Sequence, residues 1–358
     1  MKRSTLLSAG TPLLIAAAAV LAVGDLNPPA GSVAATGKRL TEIEPRIAIN
    51  ATNTPGDATA LFVISQPGSY YLTGNLSGVS GKSGILISAD DVTLDLGGFR
   101  LFGGPGSLRG ITLAGFRAGL QIRNGTIVGW GGDGLGGVAD SSTIQGIKSR
   151  ANGGWGLNGS GSYGLRIEGC SALTNGLALA STGGIRGGNA GSLILDCTSS
   201  YNTGSGFSVE NGSEVSGSTS AANSGSGFSA ASNCTILNCN AYANAGDGII
   251  CNDDCLIRDN LASDNGYGAA FGSNIHVLGT DNRVESNNCN TGDRGIDIDL
   301  SGNVVLRNTC SGNTINWDIT PGNAVAPILS ATTNSSPILG ATYAGSLGST
   351  DPNANFSY

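Results

Sequence analysis

Residues 206–226 read GFSVENGSEVSGSTSAANSGS, and residues 227–247 read GFSAASNCTILNCNAYANAGD. The two windows are 21 residues each, open on Gly-Phe-Ser and place Asn223 and Asn244 four residues before the next window. Outward from them, a Gly or Asn followed by an apolar residue recurs at 84, 110, 134, 156, 184, 206, 227, 248, 274, 295 and 316. The steps between these starts are 26, 24, 22, 28, 22, 21, 21, 26, 21 and 21 residues. Self-similarity with a period in the low twenties marks a solenoid, because one such unit buries its apolar face only against the next.

Each unit is a coil of short strands. Apolar residues stand one and three places after the start, as in Ile85/Ile87, Ile111/Leu113, Phe207/Val209, Ile249/Cys251, Ile275/Val277 and Ile296/Ile298. That alternation of two is the signature of a strand with one buried face. A second strand follows in each coil (Leu193–Leu195, Thr235–Leu237, Val304–Leu306), and Gly, Asn, Ser and Asp fill the gaps as turn formers. With 59 Gly, one Met and 12% charged residues, helix formers are too scarce for a helical or leucine-rich solenoid. The expected fold is all-β, a right-handed single-stranded parallel β-helix of about ten coils, a rod on the order of 50 Å long at ~4.8 Å per rung.

Asparagines support this register. Asn152, Asn202, Asn223 and Asn244 lie four residues before a start, and Asn175 and Asn265 lie nine before one. Asparagine at one turn of every coil adopts left-handed geometry and bonds along the stack, satisfying turn backbone. Extra residues are expected after Asn124 (through Trp130 to Asp133), after Asn175 (Leu177 to Thr182) and after Asn265 (Tyr267 to Ser273). All follow the same turn, so they should project from one edge, where repeat proteins often carry a binding rim.

The coil pattern resembles the right-handed parallel β-helix of the pectin-lyase-like superfamily. GSYYLTGNLSG (68–78) and GILISADDVTLDLGGF (84–99) are similar to the opening coils of exported bacterial β-helix repeat proteins, and DPNANFSY (351–358) resembles their termini. The resemblance spans most of residues 40–358 and implies a fold. That superfamily includes pectate and pectin lyases, polygalacturonases, other glycan lyases, epimerases and members without known activity. A polygalacturonase would carry paired aspartates, Gly-His-Gly and Arg-x-Lys. Here the Asp-Asp pairs are Asp90-Asp91 and Asp253-Asp254, the single histidine, His276, sits in Asn-Ile-His-Val, and Gly-His-Gly, Arg-x-Lys and an epimerase-like Asp-Pro-His are absent. No family residue carries over.

Lys2 and Arg3 precede an apolar run, Leu13 to Val23, of secretory-signal length and too short to span a bilayer comfortably. Residues 1–24 are therefore expected to be a signal peptide, 25–40 a linker, 41–83 an N-terminal cap, 84–319 the β-helix and 320–358 a C-terminal tail or cap. The expected location is extracellular or the cell surface, without membrane insertion after processing, the alternative being a retained N-terminal anchor, and the expected state is a monomer. The eight cysteines suit an oxidising compartment if paired. The register stacks Cys170 on Cys197, Cys234 on Cys255 and Cys289 on Cys310, within disulfide reach. The alternative is columns of reduced, buried thiols acting as small hydrophobes.

A formal net charge of −7 disfavours nucleic acid and anionic membranes as partners. It also makes a polyuronate an awkward ligand without a local basic patch or calcium. The best polar column stands two residues after the starts and reads His276, Asp297, Asp318 in the last coils, with Arg294 and Asp299 nearby. An imidazole beside a carboxylate supports general acid–base work, and the arginine neutralises developing charge; the same residues also suit a solvated sheet face. Asp253, Asp254 and Asp259, with Asn252, crowd enough carboxylate to suggest Ca²⁺, the one cofactor considered, or else turn formation. Two functions follow: an exported rod binding a polysaccharide or cell-envelope glycan without catalysis, or a polysaccharide lyase or glycoside hydrolase gripping an extended glycan along the coil face. The plain Ser-, Ala- and Gly-rich faces of 206–247 favour the first.

Overall fold

The architecture comes from a computed structural model that describes residues 44–178, 182–267, 272–330 and 351–358. The expected signal peptide and linker, and parts of both loops after Asn175 and Asn265, lie outside the described residues. From Arg46 onward the chain is a single coiled unit of strands and turns.

Every strand pairing is parallel, and an isolated bridge between Pro55 and Phe62 is the antiparallel exception among the described residues. Each coil contributes one strand to each of three faces. The first sheet holds twelve strands, from Ala60–Ile64 through Phe207–Val209, Phe228–Ala230 and Ile249–Cys251 to Ile315–Ile319. The second runs from Ile47–Ala48 through Leu256–Arg258 to Ala324–Val325, and the third from Leu76–Ser77 through Leu261–Ser263 to Asn355–Ser357. Strands Gln121–Val128 and Thr143–Arg150 bend from the second face into the third without a break. Twelve turns exceed the expected ten or so for a local reason. The strand Ala60–Ile64 pairs in register with Ser83–Ile87, but Leu61 stands where later coils carry the starting Gly. A coil therefore lies within residues 41–83, read from sequence as the cap.

The interior is a stack of like residues. Ile249, Ile275 and Ile296 pair rung on rung and are completely buried. Phe207 and Phe228 stack with ring centroids 4.8 Å apart and 5° between planes, so one rung spacing sets both the ladder and the ring contact.

Turns inside such a rod would strand backbone N–H groups, and three side-chain ladders prevent this. Between the third and first sheets, each backbone N–H donates to the next asparagine Oδ1: Asn175 to Asn202 at 2.8 Å, Asn202 to Asn223 at 3.0 Å, Asn223 to Asn244 at 3.1 Å and Asn244 to Asn265 at 3.0 Å. The starting glycine is the other half of this device. A Cβ on Gly206 would lie 2.0 Å from Ser220 Oγ and 2.7 Å from Asn223 Nδ2. Where Asn274 replaces the glycine, it joins the ladder itself by accepting from Asn265 Nδ2 at 2.9 Å.

Asn124 does not belong to this ladder. Trp130 holds the position instead, its N–H donating to Asn152 Oδ1 at 3.0 Å and its buried indole donating to Leu101 O at 3.2 Å. Residues 125–133 are thus part of the coil, correcting the expected projection after Asn124. The segments after Asn175 and Asn265 do start at the same turn, with Leu177 and Tyr267 exposed.

The second and third ladders explain five of the eight cysteines. Between the second and third sheets, Ile147 N–H donates to Cys170 Sγ, Cys170 N–H to Cys197 Sγ, Cys197 N–H to Ser218 Oγ and Cys239 N–H to Asn260 Oδ1. Between the first and second, Cys234 N–H donates to Cys255 Sγ and Cys255 N–H to Asn282 Oδ1. Cys, Ser and Asn thus interchange as turn acceptors. Cys289 and Cys310 are register partners inside the third sheet. The expected stacking of all three pairs holds, and all eight are buried free thiols in this structure.

Candidate functional site

On the outer side of the first sheet, the column Ile250, His276, Asp297, Asp318 runs rung to rung. Strand alternation turns these side chains away from the Ile249–Ile275–Ile296 interior. One place before each start, a second column brings Asp247, Ser273 and Arg294 alongside.

The two columns make one cluster. His276 Nδ1 lies 3.3 Å from Asp247 Oδ2, and its Nε2 lies 3.4 Å from Asp299 Oδ2 and 3.8 Å from Asp297 Oδ2. Arg294 Nε donates to Asp318 Oδ2 at 2.9 Å, and its Nη1 lies 3.7 Å from Asp297 and 3.8 Å from Asp293. Ser273 Oγ donates to Asp297 Oδ2 at 3.1 Å, and Ser273 N–H to Asp247 Oδ1 at 2.7 Å. Burial opposes charge on His276, but the hydrogen bond to Asp247 and the charges of Asp247, Asp297 and Asp299 outweigh it and raise its pKa. Burial also raises Asp297, against the pull of His276, Ser273 and Arg294. The cluster therefore favours the protonated form of His276 among its carboxylates, and Asp297 keeps its proton to higher pH than usual.

The structure thus assembles His276, Asp297, Asp299 and Arg294 as the sequence suggested. It adds Asp247 and Ser273, which sequence reading passed over. Their signal was Arg294 itself: the position one before the start lies beside the outward column. His276, Asp297 and Asp299 offer ligand atoms within 4.8 Å of one another, close enough to share a divalent cation. Asp253, Asp254 and Asp259 are not brought together. Asp253 caps a turn by accepting Thr280 N–H at 2.9 Å, Asp254 shares that turn, and Asp259 occupies the next turn across strand Leu256–Arg258, paired with Arg258 at 3.2 Å. Asp254 and Asp259 both adopt left-handed backbone, φ 58° and 57°, the turn-forming use of aspartate. The calcium expectation for these three has no geometric support.

Beside the cluster, at the turn from the third to the first sheet, an open cleft of about 520 Å³ is lined by Asp264, Tyr267, Thr291, Asp293 and Thr314, among others. Asp293, which faces Arg294, joins cleft and cluster.

No protein-family model matches the chain, and no curated protein matches it in sequence. Solved structures do. The Dettilon tailspike protein is 14% identical, with a TM-score of 0.54 over 75% of this chain and 60% of its own. A mutant tailspike protein of E. coli bacteriophage HK620 is 15% identical, with a TM-score of 0.52 over 74% and 58%. A mannuronic acid specific polysaccharide family 6 lyase from human gut microbiota is 11% identical, with a TM-score of 0.50 over 79% of both chains. The chain spans about three fifths of the tailspikes' length. The fold is the right-handed parallel β-helix. At these identities the likeness establishes the β-helix and its coil geometry; activity is a matter of side chains grafted on it.

Proposed function

We propose that this β-helix binds an extended polysaccharide, seated in the Tyr267–Asp293 cleft and against the His276–Arg294–Asp297 cluster, and does not turn it over. The observation that carries this reading is the continuity of an open, hydroxyl- and carboxylate-lined cleft with a charged cluster on one edge of the rod. Carboxylates and threonine hydroxyls are the donors and acceptors that fix sugar hydroxyls, while an open groove admits a chain rather than a small molecule. Binding without turnover is favoured by closure of the cluster on itself. His276 is held between Asp247 and Asp299, and Arg294 is spent on Asp318, so neither is a free base or a free cation. The polysaccharide lyase named above lends the polysaccharide class as analogy of fold. The reading includes export, supported by Lys2 and Arg3 before the apolar run Leu13 to Val23, and a monomeric rod.

Catalysis is the second reading, and one observation favours it: Asp297 is raised by burial and sits beside an imidazole, a pairing able to give and take a proton. The test is a glycan panel with and without Ca²⁺, following binding, reducing ends and the absorbance of unsaturated products. Saturable binding without product, weakened by Asp293→Ala, is the expected result. Turnover abolished by His276→Ala or Asp297→Ala overturns the non-catalytic reading, and absence of binding to every glycan overturns the whole proposal.

A further inference from the structure

We infer that Tyr201, Tyr242 and Tyr267 form a stacking track that lays a neutral glycan parallel to the rod axis, leading into the cleft at Asp293. The inference rests on the glycan reading above and adds residues, direction and ligand charge to it.

All three tyrosines stand at the turn from the third to the first sheet, on the first, third and fourth of four consecutive coils and at neighbouring rather than equivalent positions. Tyr201 N–H donates to Ala221 O at 3.1 Å, and Ala222 N–H to Tyr242 O at 2.9 Å, so Tyr201 and Tyr242 lie two rungs apart. Gly266 N–H donates to Asn244 O at 3.0 Å, which puts Tyr267 one rung beyond Tyr242. The row spans three rung steps, about 14 Å. The rings are 65%, 50% and 70% exposed, in a chain with 5% aromatic residues. A large amphipathic ring left in water gains nothing for folding, so a row of three on one edge is a binding feature.

The register neighbours at this turn are small. Positions between the tyrosines at this turn are Ala221, Ala222 and Ala243, whose methyl groups rise too little to cover them. Further along the same outer columns the residues turn polar: Ser263, Asn290 and Ser311, with Ser311 Oγ donating to Asn290 Oδ1 at 2.9 Å. An apolar platform followed by hydroxyl and amide groups matches a sugar chain, whose ring faces present C–H groups and whose edges present hydroxyls. Charge decides between sugar classes. The residues lining the cleft include Asp264 and Asp293 and no lysine or arginine, so a polyuronate would meet like charge and a neutral glycan would not.

The experiment uses the full chain with neutral hexose hexasaccharides (β-glucan, mannan and galactan) and a hexauronate as probes, read by isothermal titration and saturation-transfer NMR. A neutral probe is expected to bind, with its ring C–H protons receiving saturation. Tyr242→Ala and Tyr267→Ala are each expected to weaken it about threefold to tenfold, as an aromatic stacking contact does. Tyr201→Ala should matter for the hexasaccharide more than for a disaccharide. Tyr→Phe at each position should retain binding, because stacking needs the ring and not the hydroxyl. These side chains are exposed, so thermal unfolding should not shift. Unchanged affinity for the same neutral probe in the triple alanine variant overturns the track and leaves glycan binding standing. Tighter binding of the hexauronate overturns the charge assignment. Failure of wild type to bind any probe removes the glycan reading itself and the track with it.

Discussion

Replacing Asn223 by alanine tests the ladder that makes the coils register. Asn223 is fully buried, and its Oδ1 accepts Asn202 N–H at 3.0 Å and Asn202 Nδ2 at 2.9 Å. Its Nδ2 donates to Asn244 Oδ1 at 2.9 Å, Ser220 Oγ at 3.0 Å and Ser199 O at 3.1 Å. In Asn223→Ala, Asn202 Nδ2 keeps Ser199 Oγ and Asn244 Oδ1 keeps the residue 223 N–H. Asn202 N–H does not recover. A buried backbone donor left alone costs about 1–3 kcal/mol, and each lost neutral bond a further ~1 kcal/mol. The sum is about 3–5 kcal/mol, a fall in Tm of roughly 4–7 °C in a chain of this size. Asn211 is the control: it is exposed, accepts Ser232 N–H at 3.1 Å, and its alanine variant should lose no more than about 1 kcal/mol. Guanidinium unfolding followed by far-ultraviolet circular dichroism measures both. If Asn223→Ala unfolds within about 1 kcal/mol of Asn211→Ala, water reaches the turn and the ladder is decoration.

Four further outcomes follow from the same coordinates. The single histidine, His276, should titrate by NMR above its ordinary value of 6.5, because its carboxylate partners outweigh burial. Its contribution to stability is fully present below pH 6.5 and fades as pH rises through the raised value, so the wild-type advantage over His276→Gln should shrink in that direction; an NMR pKa at or below 6.5 refutes it. Cys197→Ser should be nearly neutral, since Ser218 does the same task one rung on, whereas Cys197→Val leaves Cys170 N–H unpaired and should lose about 1–3 kcal/mol. Thiol titration of the unfolded, unreduced protein should find all eight cysteines reactive; fewer would mean disulfides. Phe228→Ala removes one half of the 4.8 Å ring stack in a buried site and should lose about 3–5 kcal/mol in denaturant unfolding, with an undisturbed midpoint ruling out the stacked core.

Much of this molecule was legible in one dimension because a solenoid converts sequence distance into a neighbour relation. The repeat starts put Ile249 on Ile275 across a 26-residue coil and Cys289 on Cys310 across a 21-residue one before any coordinate is known. They also brought His276 beside Asp297, since equivalent letters of adjacent coils touch. Legibility failed where the letter changed but the position did not. Leu61 hid the first coil, Trp130 hid a ladder position, and Cys, Ser and Asn at one turn looked like unrelated residues although each accepts the same backbone N–H.

The repeat alone determined that the chain coils in parallel, which residues face inward and which residues stack, because strand alternation and period are properties of the linear order. Tertiary structure alone decided what lies across a turn: that Asp247 reaches His276 from the preceding coil, that Asp293 joins the cluster to a cleft, and that Asp254 and Asp259 stand at different turns. Those relations depend on where each turn points a side chain, an angle set by packing and backbone conformation rather than by spacing.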